Sequence, residues 1–143
     1  MAAIVVAANN VAIEASSSRG RSIRSKVRSF ARQMVTDHSA VNKAATALVT
    51  KLGVTPEENA TSRQLIEAGT QNLKTLEGKS GKDFVQAYID NEVSYYQTVL
   101  DALDNTLIPN AQNAEVKALL VQTGPAFVAH HKLAQDIQNS LKR

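Results

Sequence analysis

The chain has 143 residues, of which 43% are hydrophobic and 20% charged, with a formal net charge of +3. That length and balance fit a single domain, residues 1–143, with a core large enough to fold without disulfide or metal staples. Cysteine is absent, which excludes disulfides, thiolate metal sites and cysteine nucleophiles. Aromatic residues make up only 4% and Trp is missing, so the core is expected to be built from closely packed small and aliphatic side chains.

Strand signals are nearly absent, and turn residues divide the chain into five predicted helices. The first covers residues 3–20. Its opening, MAAIVVAANN, lacks a basic start and a long apolar stretch, so it does not read as a signal peptide. It fits a mature domain whose leader has been removed. No apolar run reaches the ~18 residues that a transmembrane helix needs.

The second helix is predicted over residues 25–52, with Ser25 as N-cap and Gly53 as its stop. The third covers 56–77. There Thr55 would cap, Pro56 would take the first helical position and Glu58 would close a capping box. The fourth runs over 81–108 from Ser80, with Asp83 in the first turn and Pro109 ending it. Asn110 or Asn113 caps a fifth over 113–142. Within that helix Pro125 predicts a kink shortly before His130.

Short loops make neighbouring helices antiparallel. The predicted fold is all-α: an antiparallel helical bundle of four long helices and one shorter helix. Apolar stripes support it. They run through Val27, Ala31, Met34, His38, Val41, Ala45, Leu48 and Leu52, then Ile89, Val93, Tyr96, Leu100, Leu103 and Leu107. A third takes in Val116, Leu120, Thr123, Phe127, His130, Ala134, Ile137 and Leu141. The helix over 56–77 has the thinner stripe of Leu65, Gly69, Leu73 and Leu76, which suits a peripheral position.

His38, Tyr96 and His130 are polar side chains on these stripes. Glu92 lies one turn before Tyr96. At ~1.5 Å rise per residue, His38 falls roughly 20 Å down its helix, Glu92 about 18 Å and Tyr96 about 24 Å. His130 falls about 18 Å from the same end of the bundle, and Glu14 about 10–12 Å, a looser match. The four deeper residues therefore share a level. One reading is a metal site for zinc, iron or manganese, with His38, His130, Glu92, Tyr96 and Glu14 as candidate ligands. The other is a buried hydrogen-bonded network in which Tyr96 and Glu92 complete the set around His38. Asp37 points about 100° away from His38 and would orient or solvate it rather than ligate, and His131 reads as flanking. The Glu-x-x-His pairs of di-iron bundles, phosphate loops and nucleophile elbows are absent, so no catalytic residue is assigned.

Arg19, Arg21, Arg24, Lys26 and Arg28 form a basic stretch with no acid between them, a candidate surface for an anionic partner. The stretch continues to Arg32, and Phe30, which fits the core, is its one aromatic, so nucleic acid is not the expected partner.

The segments FARQMVTDHSAVNKAATALVTKLGV, GKDFVQAYIDNEVSYYQTVL and GPAFVAHHKLAQ resemble a bacterial family of ferritin-like domains of unknown function, commonly described as predicted outer membrane proteins. VAIEAS resembles the family's first helix and places Glu14 at its recurrent acidic position. The resemblance implies a ferritin-like bundle exported to the periplasm or cell envelope. A helical domain with these stripes is not an outer-membrane barrel. It also implies that His38 and His130 match two recurring histidines and that Tyr96 stands where a third often falls. With one imidazole replaced by a phenol, the resemblance favours a non-enzymatic domain with a structural polar centre and at most weak or vestigial divalent-metal binding. A ferritin-type metal-dependent redox or storage protein and an interaction module using the basic turn stand as alternatives. The physiological partner, self-association included, is left open.

Overall fold

The computed structural model describes residues 25–142, all helices and connecting turns; the predicted helix over 3–20 lies outside them. Four α-helices follow in order: α1 (Ser25–Lys51), α2 (Ala60–Glu77), α3 (Gly81–Ala102) and α4 (Ala114–Leu141). A π-helical turn, Leu103–Leu107, extends α3.

The end of α1 follows from Gly53. Its φ of +64° is a left-handed conformation that side chains with a Cβ resist. The Val54 N–H then donates to the Val49 carbonyl and the Gly53 N–H to Thr50, both at 3.1 Å. This pair of bonds satisfies carbonyls that the last helical turn leaves open.

The start of α2 differs from expectation. The helix begins at Ala60, and the predicted Thr55–Glu58 cap does not form. Instead the Asn59 side chain accepts from the Ser62 N–H at 3.0 Å, while Ser62 Oγ accepts from the Asn59 N–H at 2.9 Å. Residues 53–58 are all exposed, so an extra turn there would bury nothing to offset its ordering entropy. At α3, Ser80 is the capping residue, but its hydroxyl makes no cap bond. Asn113 caps α4, accepting from Glu115 and Val116 N–H groups at 2.9 and 3.0 Å.

The fourth predicted helix, over 81–108, is α-helical only to Ala102. The Ile108 N–H reaches back five residues to the Leu103 carbonyl at 2.9 Å. Leu103 and Leu107 remain buried on the α3 seam, so the apolar pattern is the same for a wide turn as for an ordinary one. Helix α4, by contrast, continues through Pro125. Pro125 has no N–H for the Val121 carbonyl, but both residues are exposed and water can take that place.

Cross-helix pairs fix the directions. Phe30 meets Tyr88 edge-on and His38 meets Tyr96, so α1 and α3 run the same way. Asp37 meets His130 and Lys51 pairs with Glu115, which sets α4 antiparallel to α1. Gln138 donates to Asp90 at 2.7 Å, and Tyr96 lies beside His130, so α4 also opposes α3. Thr61 and Leu65 line one cavity with Val99, Leu103 and Leu107, while a short turn joins the other ends of α2 and α3. Helix α2 buries only Ser62, Gly69 and Leu76 and is the peripheral member. The core lies between α1, α3 and α4, with Met34, Ile89, Tyr96 and Ala134 fully enclosed. No helix among the described residues is long and apolar enough to cross a membrane.

Candidate functional site

Halfway along the core, α1 supplies Met34, Asp37 and His38, α3 supplies Glu92 and Tyr96, and α4 supplies Phe127 and His130. The spacing of each set by three or four residues puts its members on adjoining turns of one helix face. His38 and Tyr96 have no exposed surface, and Glu92 and His130 are also buried.

The Tyr96 hydroxyl is the hub. It lies 2.6 Å from His38 Nε2, 2.7 Å from Met34 Sδ and 3.5 Å from His130 Nδ1. His130 Nε2 sits 2.8 Å from Asp37 Oδ2. A carboxylate only accepts, so His130 Nε2 carries the proton, and a neutral His130 turns a bare Nδ1 toward the phenol. A phenol has one proton to give. It goes to His38 Nε2, to Met34 Sδ or, over the longest of the three distances, to His130 Nδ1, and in the last two cases His38 Nε2–H donates to the phenolic oxygen. Each of these arrangements leaves His38 and Tyr96 neutral. Phe127 covers the group from α4, stacked on His38 with ring centroids 5.1 Å apart and planes at 27°.

Electrostatics favour the same neutral state. Burial lowers the His38 pKa from 6.5 to about 4; His130 adds to the effect and Asp37 opposes it. Burial, reinforced by Glu92, raises the Tyr95 and Tyr96 hydroxyls well above the usual phenol range. Glu92 itself is pushed up to about 8 by burial. Its Oε2 has no hydrogen-bond partner.

The structure thus brings together His38, Tyr96 and His130, at the common level that helix counting predicts. Glu92 lies in the same core but makes no hydrogen bond to any of the three, so the expected His38–Tyr96–Glu92 set is corrected. Glu92 lies one turn from Tyr96 on the same face, but the Tyr96 hydroxyl is engaged by His38, Met34 and His130 instead. Asp37 does orient an imidazole, but that of His130 across the bundle rather than its neighbour His38. Met34 and Phe127 carry more of the site than their place in the stripes suggested. The available signal was spacing: Met34 is one turn before His38, and Phe127 one turn before His130. Glu14, Arg19, Arg21 and Arg24 lie outside the described residues, as does the Arg28 side chain; Lys26 is exposed.

The described donors do not fit a resident metal ion. Zinc takes imidazole nitrogens at about 2.0–2.1 Å. Here the His38 and His130 nitrogens that face inward both meet the Tyr96 hydroxyl. The other His130 nitrogen is held by Asp37. Among the described residues, no group of three or more His, Asp or Glu side chains is placed to hold a metal ion.

Comparison with known families covers almost the whole chain: residues 1–137 match Domain of unknown function (DUF4142). The chain belongs to that family. Comparison with curated proteins returned no match, and comparison with solved structures returned none either. The polar centre of this DUF4142 domain is therefore read from its own geometry.

Proposed function

We propose that this DUF4142 domain is a non-enzymatic helical bundle of ferritin-like architecture, exported to the periplasm or cell envelope, whose polar centre ties three helices together. The carrying observation is the Tyr96 hydroxyl, 2.6 Å from His38 Nε2 and in contact with Met34 and His130. One phenol from α3 joins two side chains of α1 to one of α4. It also takes the point on which two imidazoles converge, which supports weak metal affinity at most. Support for export and for the ferritin-like likeness comes from the sequence resemblance, and from long antiparallel helices that project polar groups inward.

Melting scans of the full chain without a His tag, with and without Zn²⁺, Fe²⁺ and Mn²⁺, test the reading. Tyr96→Phe leaves a buried imidazole nitrogen unpaired and is expected to cost roughly 1–3 kcal/mol. Metal should leave the wild-type midpoint unchanged, because only a ligand that prefers the folded state raises it. A metal-dependent rise in the wild type that disappears in His38→Leu overturns the structural reading. Export predicts release of the natural gene product by osmotic shock; retention with cytoplasmic markers contradicts it.

A further inference from the structure

A second feature lies one to two turns along the bundle from the polar centre. A cavity of about 60 Å³ sits between α2, α3, the π-helical turn and α4. Buried Leu103, Leu107, Leu120 and Phe127 line it together with Thr98 and Thr123. The surface turned to the cavity is carbon throughout. The threonines explain how. The Thr98 hydroxyl donates to the Ser94 carbonyl at 3.1 Å and that of Thr123 to the Leu119 carbonyl at 2.8 Å, so each is engaged with its own helix backbone. Water needs two to four polar partners to settle in a protein interior, and apolar cavities stay dry.

The space is therefore suited to hydrocarbon. Its size selects among hydrocarbons: it is less than half the roughly 150 Å³ of an apolar cavity known to hold benzene. Thr61 and Thr98 are exposed members of the lining, so the cavity opens at the surface between α2 and α3. A narrow apolar space with an open mouth admits the end of a chain and leaves the rest outside. The π-helical turn is an independent pointer, since such turns occur often at functional sites, and its Leu103 and Leu107 both line the cavity.

We propose that this cavity binds the terminal methylenes of an unbranched alkyl chain. The chain could come from a free fatty acid or from a membrane lipid, and the test separates the two. Full-length protein with ¹³C-labelled methyl groups is titrated with monomeric octanoate, with benzoate, and with phosphatidylcholine vesicles. Octanoate is expected to shift the methyl signals of Leu103, Leu107 and Leu120 saturably, and benzoate to leave them in place. A shift with vesicles but not with octanoate assigns the chain to a lipid. Ala102→Leu fills the space and should abolish the shifts, whichever source produced them. Thr98→Gln, at an exposed position, narrows the mouth without disturbing the core and should weaken binding at least tenfold, which keeps the test decisive if Ala102→Leu does not fold. Absence of a shift with both alkyl sources, an equal response to benzoate, or shifts that persist in the variants overturns the proposal.

Discussion

A carboxyl group buried as deeply as that of Glu92, with Oε2 lacking a partner, makes stability depend on pH. Its pKa is 4.5 ordinarily and about 8 in the fold. Across that window the folded chain keeps a proton that the unfolded chain releases, so stability falls as pH rises, by at most about 1.4 kcal/mol per pH unit. His38 works in the opposite sense. With its pKa lowered from 6.5 to about 4, the unfolded chain takes up a proton that the folded chain refuses, and stability falls as pH drops through that range. The two slopes oppose one another between 4.5 and 6.5, leaving a decline between 6.5 and about 8 that belongs to Glu92. Urea unfolding across this pH range should show that decline in the wild type and lose it in Glu92→Gln, which keeps the His38 slope. A wild-type profile that stays level from 6.5 to about 8 would contradict this account of Glu92.

Among the elements, α2 separates two capping patterns that look alike on paper. Thr55 with Glu58 has the spacing of a capping box, and so does Asn59 with Ser62. Only the second forms, with both reciprocal bonds present. Asn59→Ala is expected to destabilise the protein by about 1 kcal/mol. Thr55→Ala, at an exposed site outside the helix, should stay within about 0.5 kcal/mol of the wild type. Chemical denaturation of the two variants side by side decides between them; equal losses would restore the earlier start. The reason lies beyond local pattern. A cap is selected by where the following stripe is buried, and Ser62, Gly69 and Leu76 are the positions of α2 that the bundle encloses. The π-helical turn was hidden for a related reason, since Leu103 and Leu107 satisfy either helix type.

At the scale of the molecule, α4 is the shared wall, packed against both α1 and α3. Its inner and outer faces should therefore respond very differently to truncation. Phe127 is 3% exposed and stacks on His38, whereas Val128, the next residue, is 56% exposed. Phe127→Ala is expected to cost about 3–5 kcal/mol through lost burial and the void it leaves. Val128→Ala should change stability by about 0.5 kcal/mol or less. Thermal or urea midpoints provide the comparison, and similar losses at the two positions would mean that α4 is packed on both sides.

The order of the described helices, their alternating directions and the Gly53 stop were all legible in the residues, while the last cap was narrowed to Asn110 or Asn113, of which the structure uses Asn113. Each depends on local stereochemistry or on a periodic stripe, which one segment carries by itself. The meeting of His38, Tyr96 and His130 was legible as well, because uniform helical rise turns sequence position into height. Sequence could not say which atoms meet at that height. Whether Glu92 joins His38, which imidazole Asp37 holds, and how closely Met34 approaches the phenol depend on rotation and approach of helices distant in sequence. Tertiary packing decided those contacts. It also made the cavity beside Phe127, since an empty volume belongs to no single segment and arises only where several helices fail to fill the space between them.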